Sequence, residues 1–170
     1  MTLLLQGGAV PDWYPSAYYI QPHYASTPTI NFWDQEAFTA RKRKYWNAAW
    51  TRALQRWAPV GLDLVFHPGP LGCPEPGVTC EVFDVPPGIG AWTQFNEPPE
   101  CGFIQVDITT WCNAVLGRNI GPLTGVITHE VGHALGFGHG GTGVMAVPLT
   151  GEVWPNAEEI AAAQAYWGIT

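Results

Sequence analysis

Positive charge is scarce in this sequence: seven Lys and Arg stand against fourteen Asp and Glu, giving a net charge of −7. A nucleic-acid partner is not expected on that balance, because phosphate recognition needs a basic surface. The one basic cluster, ARKRK at 40–44, is short and lies inside an apolar-periodic segment, so it reads as the charged face of a helix. Long apolar runs are missing as well. No stretch reaches the roughly eighteen apolar residues of a membrane-spanning helix. The opening MTLLLQGGAV lacks the basic start and sustained apolar run of a signal peptide, so export, if it occurs, uses a leader or route not displayed here. No internal repeat is visible.

What the sequence does contain is apolar and aromatic. At 170 residues, 46% apolar and 12% charged, it has the length and composition of one folded domain. Nine Trp imply an aromatic-rich core. Four cysteines, Cys73, Cys80, Cys101 and Cys112, lie in a middle segment dense in Pro and Gly. An even count in such surroundings suggests two disulfides and an oxidising, extracellular compartment. Pairing within short loops predicts Cys73 with Cys80 and Cys101 with Cys112, although crossed pairs satisfy the same count. A zinc site built from the four is disfavoured, since neither pair has the two-residue spacing of a metal knuckle.

AYYIQP (17–22) reads as a strand, and residues 34–57 as an amphipathic helix carrying Phe38, Tyr45, Trp46, Ala49, Trp50, Ala53, Leu54 and Trp57. Pro59 and Gly61 end it. LDLVFH (62–67) is a second strand, 68–90 a long loop, and AWTQF (91–95) and GFIQVDI (102–108) two further strands. Helices are expected at 123–135 and 157–167, the latter with Asn156 as N-cap and Glu159 closing a capping box. The predicted class is α+β: a twisted mixed sheet, two helices packed on it and a C-terminal helix.

Residues 129–139 read HEVGHALGFGH. On a helix, His129 and His133 share one face and can bind one ion, with Glu130 projecting beside them. Gly136 suits a left-handed residue that stops the helix and turns the chain, bringing His139 back as a third ligand. Three imidazoles leave a fourth tetrahedral position open, which is the mark of catalytic zinc: a water bound there has its pKa lowered to about 7. Glu130 is then the general base that activates the water and passes its proton to the leaving amine. An isolated HExxH arises readily by chance, but Gly136 and His139 fix two further positions. A purely structural zinc has little use for Glu130.

HExxHxxGxxH followed by Met145 resembles the signature of the metzincin metallopeptidases, and within them the chain looks most like a small matrixin catalytic domain. The resemblance implies one zinc held by His129, His133 and His139, with Glu130 catalytic and Met145 in the Met-turn beneath the metal. It also implies subdomains at about 1–139 and 140–170. The ending AEEIAAAQAYWG is similar to the family's closing helix, with Glu158 and Glu159 where matrixins carry paired aspartates. Gly140 departs from the Ser or Thr usual after the third histidine, and the five residues between His139 and Met145 are fewer than in animal matrixins. Val147 stands where some relatives place a tyrosine that reaches zinc, so no tyrosine switch is expected. Nor is a cysteine-switch propeptide; GCPEP at 72–76 reads as disulfide-loop sequence. Beyond the motif only His23 and His67 remain, too few for a second, structural zinc. Calcium is admitted as a structural ion near Asp84, Glu97, Glu100 and Asp107, although scattered acids are more often solvated.

An extended peptide can pair with an exposed strand edge, for which Ala91, Trp92 and Thr93 are the candidates, and Val147, Pro148 and Leu149 would wall the pocket for the residue after the cut bond. The expected function is therefore a monomeric, secreted zinc endopeptidase acting on protein or peptide, with no nucleic-acid or membrane partner. The alternatives are a zinc-containing binding module with weak catalysis and a zinc peptidase for cell-wall peptides.

Overall fold

A computed structural model describes residues 29–74, 77–86, 88–94, 101–140, 142–146 and 154–169. The elements run β1 (Thr29–Asp34), α1 (Ala40–Trp57), a 3-10 turn (Ala58–Val60), β2 (Asp63–His67), β3 (Val78–Phe83), β4 (Ala91–Gln94), β5 (Gly102–Asp107), α2 (Ile108–Gly117), α3 (Gly121–Ala134) and α4 (Ala157–Trp167). The sheet order is β2-β1-β3-β5-β4. Its pairings are parallel except that of β4 with β5. The class is α+β, with four helices and five strands among the described residues.

The structure departs from the sequence expectations in several places. The strand at 17–22 lies outside the described residues, while β1 occupies TINFWD, a segment the sequence reading passed over. The stretch 68–90 is not loop throughout. Within it, VTCEVF forms β3, the strand joining β1 to β5, with Val78 and Cys80 buried and Thr79 and Glu81 half-buried between and after them. Finally, α2 follows β5 without a break: Asp107 ends the strand and its carboxylate accepts from the Thr110 N–H, capping the helix. Asp107 Oδ2 is the capping atom, and Asp84 is exposed.

The long helix starts at Ala40 rather than 34 because Asp34 is fully buried at the end of β1 and gathers its surroundings into a turn. Its carboxylate accepts from Trp46 Nε1 (3.0 Å), the Gly69 N–H (2.8 Å), the Glu36 N–H (2.9 Å) and Arg43 (3.1 Å). Arg43 thus leaves the otherwise exposed basic run to form a partly buried ion pair. The core is aromatic, as nine Trp required. Trp46, Trp50 and Trp57 of α1 are fully buried; Trp50 stacks on Phe66 at 5.3 Å and Phe38 on Trp111 at 4.6 Å. Such ring pairs add to plain area burial.

The disulfide expectation is overturned. Cys73 bonds Cys101, with Cα atoms 6.3 Å apart across a separation of 28 residues, while Cys80 and Cys112 are free thiols. Parallel register explains the pairing. β3 and β5 are neighbours starting at Val78 and Gly102, and the Gly102 N–H donates to the Gly77 carbonyl, so the segments leading into both strands run together. Cys80 points into the core from β3, where burial pushes its thiol pKa well up. Cys112 lies exposed on α2. Among the described residues, no helix is long and apolar enough to cross a membrane.

Candidate metal centre

α3 carries the site and is buried along most of its length. Pro122 in its first turn suits a position where the N–H has no helical partner. From α1, Trp57 Nε1 donates to the Thr128 carbonyl at 2.8 Å and Arg56 to Thr128 Oγ1 at 3.3 Å, which fixes the turn just before His129. Gly132, between the two helical histidines, is a close approach. A Cβ there would collide with Met145 Sδ and come within 2.9 Å of the Trp57 ring. Met145 is fully buried against this side of α3.

After α3 the chain turns at Gly136, whose φ of 105° belongs to the left-handed region that glycine alone occupies freely. The Phe137 N–H returns to the Gly132 carbonyl, and the Gly140 N–H donates to the Met145 carbonyl at 2.9 Å, tying the His139 loop to the turn at Met145. Trp167 of α4 donates to the Leu135 carbonyl from the other side, satisfying the end of α3.

The three motif histidines meet. Their ligand atoms all lie within 4.8 Å of one another, and His133 Nε2 is 3.1 Å from both His129 Nε2 and His139 Nε2. The His129 Nδ1–H donates to the Val144 carbonyl at 2.8 Å and the His133 Nδ1–H to the Phe137 carbonyl at 2.7 Å. With Nδ1 protonated, each of those rings presents a bare Nε2 lone pair. Lone pairs aimed at one another repel, and a cation between them removes the repulsion. For a tetrahedral ion with nitrogens at about 2.05 Å, ligand atoms sit roughly 3.3 Å apart. The donor set therefore fits zinc, and backbone carbonyls supply the outer support that ligand histidines need. Burial lowers the His129 pKa, and burial followed by the neighbouring His129 takes His133 down to about 4, so both rings are neutral and ready to bind at neutral pH.

Glu130 is 4% exposed. Desolvation pushes its carboxyl up to about 7, and one hydrogen bond, Thr93 Oγ1 donating to Oε2, pulls the other way. Its proton affinity is thus set near neutrality, where a general base works best.

Of the peptide-docking candidates, Ala91, Trp92 and Thr93 do lie on the edge strand β4 beside α3, but they divide between two faces. Thr93 faces α3, whereas Trp92, 43% exposed, stands on the other face with its indole donating to Gln105 at 2.8 Å. Val147, Pro148, Leu149, Glu97, Glu100 and His23 lie outside the described residues. His67 stacks on Trp33 at 3.9 Å and contacts Asn31 through Nε2.

Two functional contacts were not anticipated from sequence. One is Thr93 on Glu130. The other is Glu159, fully buried, which not only closes the α4 capping box but accepts from the Val144 N–H at 3.1 Å and the Met145 N–H at 2.9 Å. The capping-box pattern locates this residue, and no local signal shows that its carboxylate also reaches the Met-turn.

No protein-family model matches the chain, and no curated protein matches it. Among solved structures it is similar to a chain from the GM1-bound form of the ECX AB5 holotoxin, with 16% identity and a TM-score of 0.56 over 82% of this chain and 80% of that one. At that identity the likeness extends to the fold.

Proposed function

We propose that the chain is a zinc-dependent endopeptidase with a metzincin-like fold, similar to a small matrixin catalytic domain, that hydrolyses peptide bonds in proteins. The observation that carries this reading is the convergence of three imidazole nitrogens next to a buried carboxyl whose pKa is raised to about 7. His129, His133 and His139 would hold the ion. When bound, zinc supplies a Lewis acid that polarises a carbonyl and makes water acidic enough to lose a proton near neutral pH. Glu130 receives that proton and delivers it to the departing amine. The outer edge of β4 takes an extended peptide as an added strand, which sets the scissile bond across α3. In this reading the subdomain boundary falls at about residue 139. The Cys73–Cys101 bond supports action in an oxidising, extracellular setting.

Zymography of the zinc-loaded protein on casein, gelatin and cell-wall peptide tests this, with and without a chelator. Clearing of casein or gelatin, abolished by the chelator and restored by zinc, is expected. Clearing of cell-wall peptide alone would keep the chemistry and change the substrate. With one zinc bound and no substrate cut, a zinc-containing binding module would take the place of the enzyme.

A further inference from the structure

Resting on that reading, we propose that Thr93 is the positioning residue for Glu130: its hydroxyl holds Oε2, so that Oε1 is left to face the reacting water. A glutamate side chain has rotatable bonds and two equivalent oxygens, and a base on such a stem loses rate whenever it swings away. Here the swing is stopped from outside the helix. Thr93 is β-branched and therefore stiff at χ1, and it is paired with Ile104 in the β4–β5 ladder. Its single hydroxyl proton has two acceptors in reach, the Glu130 carboxylate and, at 3.4 Å, the Glu130 backbone carbonyl. The carboxylate is much the nearer, and a charge-assisted bond is the stronger. Among the described residues Glu130 has no other side-chain donor. The strand that offers its edge to a peptide is thus the strand that orients the base, so substrate docking and base geometry share one element.

The test uses zinc-loaded full-length protein and casein as probe. Thr93→Val removes the proton at nearly constant shape and should lower kcat by about tenfold to a hundredfold with KM little changed, the cost of losing a hydrogen bond to a charged group. Thr93→Ser should recover most of the rate and controls for folding. In a Glu130→Ala background Thr93→Val should cost nothing further. Independently of activity, crystal structures should show one Glu130 side-chain orientation in the wild type and more than one in Thr93→Val. Wild-type kcat in Thr93→Val, an undiminished Thr93→Val effect in the Glu130→Ala background, or an unmoved Glu130 in the Thr93→Val structure would overturn the proposal. Failure of the peptidase reading is distinct: there Glu130→Ala itself keeps its activity, or the wild type cuts nothing, and the crystal structures alone decide whether Thr93 orients Glu130.

Discussion

Two buried glutamates, Glu130 of α3 and Glu159 of α4, are treated in opposite ways. Glu159 of α4 is wholly enclosed and accepts three backbone N–H groups, from Val144, Met145 and Asn156. Glu130 of α3 is nearly as buried and has one hydroxyl donor. Burial raises the cost of a carboxylate charge, and donors lower it again. With three donors, the Glu159 side chain ties the 144–145 turn to the start of α4. With one donor, Glu130 keeps an affinity for protons near neutral pH. In the proposed reading, neighbours alone divide identical side chains in one small domain between chemistry and scaffolding.

The same substitution made at each site should break the molecule differently. Glu130→Gln should lower the rate of casein hydrolysis by on the order of a hundredfold to ten-thousandfold, with thermal stability kept or raised because no buried charge remains. Glu159→Gln should instead lower stability by about 3 to 5 kcal/mol, since an amide cannot accept what both carboxylate oxygens accept, and buried N–H groups left without partners are costly. Urea unfolding of both variants beside the wild type reads this directly; equal stability losses would end the distinction between the two sites.

Slightly smaller is the effect of the disulfide, which ties together the segments leading into β3 and β5. Replacing Cys73 and Cys101 by Ser should cost about 3 to 4 kcal/mol, the loop-closure entropy for the residues enclosed, with zinc content unchanged. Non-reducing peptide mapping should give one cross-linked pair, Cys73–Cys101, with Cys80 and Cys112 alkylated only as thiols.

The smallest effect concerns pH and the chelator-treated protein. The Glu130 carboxyl, raised from 4.5 to about 7, adds stability that is complete below about pH 4.5 and gone above about pH 7. His133, lowered from 6.5 to about 4, works in the other direction: its contribution is present above about pH 6.5 and lost as pH falls through about 4. Each is worth up to about 3 kcal/mol. The two oppose one another between about pH 4.5 and 6.5, so the metal-free wild type should change little in stability across that window. Metal-free Glu130→Gln should lose stability steadily as pH drops from 6.5 to 4. A wild type that falls as steeply as the variant would show that the glutamate does not balance the histidines.

How much of this the sequence displays depends on how far apart the partners lie. The helix spacing of His129 and His133, the stop at Gly136 and the Asn156–Glu159 capping box are local patterns, and each is found where the spacing predicts it. Long-range pairing follows from sheet order instead. Thr93 meets Glu130 only because β4 is the strand beside α3, and Cys73 meets Cys101 only because β3 and β5 are parallel neighbours; neither adjacency is encoded in nearby residues. β3 is hard to read because its buried alternation is confined to its first four residues, within a stretch otherwise dense in Pro and Gly, and α2 because it buries only Trp111 and Ala114 and so has too narrow an apolar stripe.

The central claim is that Glu130 is the base and the histidines are the ligands. Zinc content and casein hydrolysis measured on the same chelator-stripped, zinc-reconstituted preparations of wild type, Glu130→Ala and His133→Ala test it most directly. One zinc per chain in wild type and in Glu130→Ala, with hydrolysis in the wild type alone and zinc lost from His133→Ala, is the predicted result. Zinc lost from Glu130→Ala, or hydrolysis kept by it, would contradict the claim.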